Sequence, residues 1–152
     1  MPRVSARVEV GEPTLEVEEL WYDLERWPAF VDGFGHVAKL EGEWPQTGTR
    51  LVWDSLPRGR GRVVERVLEQ AAGAGQTCEV EDPRLRGTQR VGFQSDDDGT
   101  VIVLQLDYTL KERSPLTPVV DLLFIRRALR DSLRRTLVRF ARELRADREL
   151  LR

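Results

Sequence analysis

Residues 118–149 read PVVDLLFIRRALRDSLRRTLVRFARELRADRE and constrain the architecture more than any other part of the chain. Apolar residues recur in this segment at steps of three and four, which places them on one face of an α-helix. They are Leu122, Ile125, Leu129, Leu133, Leu137, Phe140 and Leu144. A helix of this length spans about 45–50 Å at the standard rise per residue. We therefore predict a long closing helix, with Thr117 as its N-cap and Pro118 at its first position.

The first two turns of this helix are apolar around most of their circumference. Val119, Val120, Leu123 and Phe124 add to the stripe there, so we expect the sheet, a loop or a partner to cover them, or a cavity to border them. Residues 118–152 also hold ten Arg against five acidic residues, so this segment carries +5 and the rest of the chain −7. Such a basic face either steers an anionic partner or is simply solvated.

The middle of the chain, from residue 35 to 112, alternates between strand signals and turn signals. Breaks rich in Gly, Pro and Asp recur at short intervals, which is typical of an antiparallel meander. One alternating face of the last strand carries Ile102, Leu104, Leu106, Tyr108 and Leu110. We predict that this face points inward, and that Asp98-Gly99 forms the tight turn before it.

The N-terminal segment begins with a period of two, in which Val4, Ala6, Val8 and Val10 alternate with polar residues. This pattern predicts a half-buried strand. The period then changes, because Val17, Leu20, Trp21 and Leu24 fall at helical spacing. We predict an amphipathic helix with Thr14 as its N-cap, ended near Trp27 by Pro28, and then a second short helical turn that ends at Gly33.

Length and composition favour one domain over residues 1–152, because a chain of 152 residues with 40% apolar content buries enough surface to need no metal or disulfide. The lone Cys78 suits a reducing compartment and is expected to be a small buried hydrophobe. The first residues lack the apolar core of a signal peptide, and no later run is long enough for a membrane span. We expect a soluble, cytoplasmic protein without cofactors.

Six short segments carry a resemblance to a known family. They are residues 20–24 (LWYDL), 27–30 (WPAF), 37–40 (VAKL), 114–116 (SPL), 121–124 (DLLF) and 133–137 (LRRTL). Together with the order strand, helix, short helix, six strands and long helix, they make the chain similar to the polyketide cyclase/dehydrase group. That group belongs to the START-like (SRPBCC, Bet v 1-like) superfamily. The similarity extends over nearly the whole chain, and it lies in spacing and hydrophobic pattern more than in reactive residues.

The resemblance implies an α+β fold of the helix-grip type, in which a seven-stranded curved antiparallel sheet wraps around the C-terminal helix. It also implies a hydrophobic cavity between sheet and helix for a lipid, polyketide or other small molecule. It leaves cyclase or dehydratase activity open, because members of the group share no catalytic set. The rival hypothesis is an interaction module that uses the Arg-rich helix to bind RNA, a ribosome or an anionic membrane.

The sequence offers only weak candidates for a catalytic, phosphate-binding or metal-binding group of residues. His36 is the only histidine and is expected to be exposed or simply packed. The run from Arg58 to Arg62, RGRGR, has the residue types of a phosphate site but no Walker lysine, so we interpret it as a flexible, solvated connection. The run from Asp96 to Gly99 lacks the spaced ligands of a calcium loop and predicts a hairpin turn.

The remaining site candidates are residues whose strand or helix face is expected to point into the cavity. They are Trp53, Gln89, Phe93, Leu104, Leu106 and Tyr108 on strands, and Leu122, Ile125 and Leu129 on the helix. Tyr108 is the expected polar handle, because a phenol in a dry pocket can donate a hydrogen bond to a carbonyl. In the strand around Val63 to Leu68, each alternating face carries one charge, so either Glu65 or Arg66 enters the cavity.

Overall fold

The computed structural model describes residues 1–112 and 118–151. A single antiparallel sheet of seven strands, in the order β1-β7-β6-β5-β4-β3-β2, packs against a long C-terminal helix. The strands are β1 (Arg3–Val10), β2 (Phe34–Glu41), β3 (Arg50–Ser55), β4 (Arg62–Ala71), β5 (Gly75–Glu81), β6 (Leu85–Asp96) and β7 (Gly99–Leu110). The helices are α1 (Thr14–Trp21), α2 (Trp27–Phe30) and α3 (Val119–Leu150). The predicted helix-grip α+β architecture, with two short helices after the first strand, is confirmed.

Strand alternation produces the core as predicted. In β7 the inward residues Ile102, Leu104, Leu106 and Tyr108 are all buried, while Val103 on the other face is 38% exposed. The β6–β7 hairpin is confirmed, but its turn lies one residue earlier than the predicted Asp98-Gly99: Asp96 pairs with Gly99, so Asp97 and Asp98 are the two turn residues and Gly99 begins β7. β2 lies at one edge and is exposed along most of its length, so the buried face belongs mainly to the other strands.

The start of the first helix differs from the prediction. Pro13 is the N-cap of α1 and no side chain caps it, so the assignment of Thr14 as N-cap is wrong. Thr14 is instead the first helical residue, and its Oγ1 shares hydrogen bonds with Ser95 Oγ at 2.7 Å and Thr100 Oγ1 at 3.1 Å. The hydroxyl is therefore used to tie the helix to the β6–β7 hairpin.

The end of the first helix also comes earlier than predicted. α1 stops at Trp21 rather than near Trp27, and a 3-10 turn, Leu24–Arg26, follows it. Asp23 caps this turn by accepting a hydrogen bond from the Glu25 backbone N–H, and the Trp27 indole N–H donates to the Trp21 carbonyl at 2.8 Å. Both bonds compete with continuation of the helix, because they satisfy backbone groups locally.

The predicted apolar stripe of α3 divides into two parts. Leu133, Leu137, Phe140 and Leu144 are buried, but Leu122, Ile125 and Leu129 are only half-buried. The predicted N-cap Thr117 lies outside the described residues, and Pro118 has extended backbone angles and precedes the helix rather than opening it. The sheet therefore holds the C-terminal half of α3 firmly and leaves its first three turns at the rim.

An aromatic cluster and two sets of ion pairs hold this C-terminal half. Phe140 packs edge-on against Trp21 and Phe30 at ring-centroid distances of 5.3 and 5.1 Å. Arg26, from the 3-10 turn, donates hydrogen bonds to Glu143 and Asp147 at 2.9–3.0 Å. The cluster and the ion pairs join the short helices to α3, so the helical layer is one packed unit.

Asp32 ties the loop after α2 to the middle of α3. Its carboxylate accepts hydrogen bonds from Ser132 Oγ at 2.6 Å and from the guanidinium groups of Arg135 and Arg139 at 3.0–3.1 Å. Burial alone would raise the pKa of Asp32, but the bonds from Arg135 and Ser132 and the charge of Arg139 outweigh it and lower that pKa. The helix is therefore positioned by a charged contact close to the site described next.

Candidate functional site

An inner cavity of about 60 Å³ lies between the concave face of the sheet and the middle of α3. Its walls combine apolar and polar side chains. They include Trp21, Trp27, Trp53, Cys78, Val91, Leu104 and Leu133, and the polar residues Asp32, Arg60, Glu65, Gln76, Gln89, Ser132 and Thr136. The space is large enough for a few non-hydrogen atoms but smaller than a typical small-molecule site of about 300–1,000 Å³.

Glu65 is the most unusual residue of this cavity. It is 5% exposed and faces inward on β4, while Arg66 faces solvent, so the structure resolves the ambiguity that alternation left open. The Trp53 indole N–H donates to Glu65 Oε2 at 2.7 Å. Burial raises the pKa of Glu65, and the bond from Trp53 and the charge of Arg60 offset only part of that rise. The carboxyl is therefore biased toward its neutral, hydrogen-bond-donating form.

Arg60 reaches the cavity from the connection between β3 and β4. Its Nε donates to Asp82 Oδ2 at 2.8 Å, and Asp82 Oδ1 in turn accepts from the backbone N–H groups of Arg84 and Leu85. The guanidinium lies 5.8 Å from the centroid of the Trp53 ring. Its Nη2 is buried and has no acceptor among the described residues. The prediction of a solvated Arg58–Arg62 connection is therefore wrong for Arg60, because Asp82 draws this side chain inward.

A larger outer groove of about 710 Å³ adjoins the inner cavity at Arg60, which lines both spaces. The exposed face of the first turns of α3 forms one wall of the groove. The loops around Arg58 and Pro83 and the end of β7 form the others. Its lining includes Leu85, Leu110, Phe124, Ile125, Ala128 and Leu129, with Arg58, Arg84, Glu112 and Arg135 around them. The apolar outer groove therefore adjoins the polar side of the inner cavity at Arg60.

The structure distributes the predicted site residues over four places. Trp53, Gln89 and Leu104 line the inner cavity, and Ile125 and Leu129 line the outer groove. Tyr108 and Leu122 line a separate surface concavity beside Met1 and Pro2. Phe93 and Leu106 are buried in the core, with Phe93 packed edge-on against Tyr22.

The long strands explain why these residues do not share one cavity. Phe93 pairs with Ile102, whereas Tyr108 pairs with Gly87 six residues further along β7. Six residues of strand span about 20 Å, which is longer than any small cavity. Phe93 and Tyr108 are therefore too far apart along the sheet to line one small cavity, and burial raises the pKa of Tyr108 as expected for an enclosed phenol.

Arg60, Asp82 and Glu65 are the site residues that sequence reasoning did not select. Glu65 carried a signal, namely a carboxylate on an otherwise apolar alternating strand. Arg60 and Asp82 carried none, because each lies in a turn-rich segment where charged residues are ordinary. The other chemistry-bearing residues behave as predicted: Cys78 is buried, and the His36 side chain is 71% exposed beside Asp54.

Comparison with known proteins agrees with this geometry. The family model described as "Polyketide cyclase / dehydrase and lipid transport" matches residues 1–145. The chain belongs to this family. The predicted resemblance is therefore confirmed, and the description of the family joins polyketide cyclases and dehydrases with lipid transport. No curated protein matches the chain.

Solved structures share the fold of this family member. The protein TTHA0849 from Thermus thermophilus has 21% sequence identity and a TM-score of 0.74, over 96% of this chain and 99% of that one. Ara h 8.0201 has 11% identity and a TM-score of 0.69, over 95% and 98%. DynU16, a putative protein in the dynemicin biosynthetic locus, has 18% identity and a TM-score of 0.64, over 94% of this chain and 47% of that one. Among the described residues, no helix is long and apolar enough to cross a bilayer.

The buried carboxyl of Glu65 makes a prediction about pH. Because its pKa is raised in the folded state, the folded chain holds this proton at pH values where the unfolded chain has lost it. Glu65 therefore costs the folded state least at pH values below its pKa in the unfolded chain, about 4.3. As pH rises from there toward the pKa of Glu65 in the folded chain, the free energy of unfolding falls. We expect Glu65→Gln to be more stable than wild type at pH 7 and to show a smaller decline between pH 4 and 8.

Urea denaturation followed by circular dichroism across this pH range measures the effect. Burial raises the pKa of the neighbouring Cys78 thiol, so this group lies further above the range than an ordinary thiol. Glu69→Gln is the matched control, because Glu69 is exposed on the same strand. A wild-type pH profile identical to that of Glu65→Gln contradicts the prediction.

Proposed function

We propose that this chain binds a hydrophobic small molecule or lipid between the sheet and α3. The observation that carries the proposal is the outer groove of about 710 Å³, which has a mainly apolar lining and shares Arg60 with the lining of the inner cavity. Its size falls within the range of about 300–1,000 Å³ that is ordinary for small-molecule sites. The half-buried face of Ile125 and Leu129 is available to such a ligand because the sheet does not cover it.

The family supports this proposal at the level of ligand class. Its description joins polyketide cyclases and dehydrases with lipid transport, and these activities share a hydrophobic ligand held inside the fold. Cyclase or dehydratase chemistry would need a group that moves protons at the ligand, and Glu65 is the buried titratable residue nearest to that role. Binding alone is what the groove supports, so we propose binding and no reaction step.

A ligand screen with groove variants tests the proposal. Native mass spectrometry of the gently purified protein, and thermal denaturation with a panel of lipids and polyketide-like aromatics, should reveal a bound or stabilising ligand. A ligand at 100 times its Kd should add about 2.7 kcal/mol to the free energy of unfolding. We expect Leu129→Asp to remove this gain by placing a charge in the apolar groove.

Val138→Asp is the matched control. Val138 is 54% exposed on α3, nine residues after Leu129 and thus on the opposite side of the helix. This variant should keep the ligand-dependent stabilisation. Equal loss in both variants, or no stabilisation by any member of the panel, contradicts the proposed function.

A second function is favoured by the exposed surface of the same helix half. Val119, Val120, Leu123 and Phe124 are 60–74% exposed. Arg126, Arg127, Arg130 and Arg134 adjoin this apolar group and, with Leu123, line a surface concavity of about 350 Å³. Apolar residues flanked by arginines fit an anionic lipid surface, where each cation near the surface contributes about 1 kcal/mol. We propose that this half of α3 contacts such a membrane.

Cosedimentation with vesicles tests this second function. Retention on phosphatidylcholine vesicles containing about one quarter phosphatidylserine should be strong at low salt, fall as salt rises, and be lost in the double variant Leu123→Ser with Phe124→Ser. Leu68→Ser, an exposed apolar residue on the outer face of β4, is the control and should leave retention unchanged. Retention on RNA but not on vesicles contradicts the membrane proposal.

A further inference from the structure

We propose that the inner cavity is a carbonyl-binding chamber, in which Arg60 Nη2 and the carboxyl of Glu65 donate hydrogen bonds to one oxygen of the ligand. The apolar body of that ligand lies in the outer groove, so this inference rests on the proposed function. The ligand class is therefore a hydrophobic molecule that presents a ketone, aldehyde or ester carbonyl at one end.

The volumes of the two spaces indicate which part of the ligand each space would hold. The inner cavity measures about 60 Å³ and the outer groove about 710 Å³. The first accepts a group of a few atoms, whereas the second accepts the body of a small molecule. Because Arg60 lines both spaces, it lies where the head group and the body of one ligand would join.

The donors of the inner cavity are held in place before any ligand arrives. Asp82 binds Arg60 Nε and is itself fixed by the backbone N–H groups of Arg84 and Leu85, so the direction of the guanidinium is set by the β5–β6 turn. Its Nη2 remains buried without an acceptor among the described residues. A buried donor without an acceptor is costly, and a ligand oxygen would relieve that cost.

Glu65 supplies the second donor. Trp53 occupies Oε2 of Glu65, which leaves Oε1 as the oxygen with no hydrogen bond among the described side chains. Burial favours the neutral carboxyl, and a neutral carboxyl carries a proton that it can donate to a carbonyl oxygen. Arg60 and Glu65 both line the inner cavity, so one carbonyl oxygen, which has two lone pairs, could accept a hydrogen bond from each of them.

The charge balance favours a neutral head group over a carboxylate. The positive charge of Arg60 is already paired with the Asp82 carboxylate, whose side chain is 3% exposed. Asp32 also lines the cavity, and it pairs with Arg135 and Arg139, which do not line it. Arg60 is the only cation among the described residues that line the inner cavity, and Asp82 already pairs with it. A carboxylate head group there would add a buried negative charge, whereas a carbonyl adds none.

Two probes of nearly equal shape distinguish the contribution of the carbonyl head group to binding from that of the apolar body. 2-Acetylnaphthalene carries a carbonyl, and 2-ethylnaphthalene has the same ring system without one. Calorimetric titration of the wild-type chain should give about 10- to 100-fold tighter binding of the ketone, the ratio expected for a hydrogen bond from the charged Arg60 guanidinium. The preference should vanish in Glu65→Met and in the double variant Arg60→Met with Asp82→Asn, while 2-ethylnaphthalene still binds.

The design of the double variant and two further variants keep the result interpretable. The Arg60→Met and Asp82→Asn changes are combined because Arg60→Met alone would leave the Asp82 carboxylate buried and unpaired. If the double variant does not fold, Arg60→Lys takes its place. Lysine keeps the charge but has no second terminal nitrogen, so this variant should also lose the preference for the ketone. Arg62→Gln is the control, because Arg62 is exposed and pairs with Asp54 on the outer face of the sheet. It should retain the full preference.

The outcomes separate this inference from the proposed function. A ketone preference that is lost in the chamber variants and kept in Arg62→Gln supports the chamber. Equal affinity of wild type for both probes overturns the chamber and leaves hydrophobic binding in place. Binding of neither probe up to its solubility limit contradicts the proposed function and the chamber together.

Discussion

Replacement of Phe140 by alanine should lower the free energy of unfolding by about 3–5 kcal/mol, the usual range for truncation of a buried aromatic. Phe140 is fully buried, and its ring packs edge-on against Trp21 of α1 and Phe30 of α2. The substitution removes the group that all three helices share, and the neighbouring rings are too rigid to fill the space. Urea denaturation of both proteins at one pH measures the difference.

The control for this prediction lies two residues away. Val138 is exposed on the same helix, so Val138→Ala should change stability by no more than about 0.5 kcal/mol. A loss below about 1.5 kcal/mol in Phe140→Ala would mean that the aromatic cluster does not anchor α3. It would then be the ion pairs of Arg26 and Asp32 that hold the helix in place.

Replacement of Trp53 by alanine should cost a similar amount, about 3–5 kcal/mol. Trp53 is 2% exposed, its ring lies 5.1 Å from that of Phe34, and its indole N–H donates to Glu65. The change enlarges the inner cavity and also removes a hydrogen bond from the buried carboxyl. We therefore expect the pKa of Glu65 to rise further, because the bond from Trp53 is one of the two interactions that hold it down.

Trp53→Phe separates packing from hydrogen bonding. The phenyl ring fills most of the indole volume but has no N–H, so we expect a smaller loss of about 1–3 kcal/mol, near the cost of an unmade buried hydrogen bond. Leu56→Ala is the control, because Leu56 directly follows β3 and is 56% exposed. Equal losses in Trp53→Phe and Leu56→Ala at pH 7 would show that the bond to Glu65 contributes no stability.

The periodicity of the sequence predicts the elements well where each one has a single apolar face. β7 carries all its large apolar residues on alternate positions, apart from Val101 and Val103, and the C-terminal half of α3 carries them at helical spacing. Burial of such a face is the dominant favourable contribution to folding, so local pattern and final structure agree. The end of α1 is predicted less well, because Trp27 stops it through a hydrogen bond to Trp21 that no spacing rule contains.

The candidate site is predicted only in part. Trp53, Gln89 and Leu104 enter the inner cavity as their strand faces indicate, but Tyr108 lies elsewhere. Alternation decides on which face of the sheet a residue lies, and it contains no information about how far along the sheet two inward residues are separated. That separation depends on the register of β6 against β7 and on where α3 crosses them.

By itself, the sequence determined the order of the elements, the inward faces of β7 and α3, the hairpin between β6 and β7 and the resemblance to the family. Each of these depends on neighbours within a few positions along the chain, and backbone geometry translates such spacing directly into structure. Only the tertiary structure decided that Glu65 rather than Arg66 enters the cavity and that Asp82 turns Arg60 toward it. Those choices follow from contacts between segments 12 to 22 residues apart, Trp53 with Glu65 and Arg60 with Asp82, which exist only after the strands have paired.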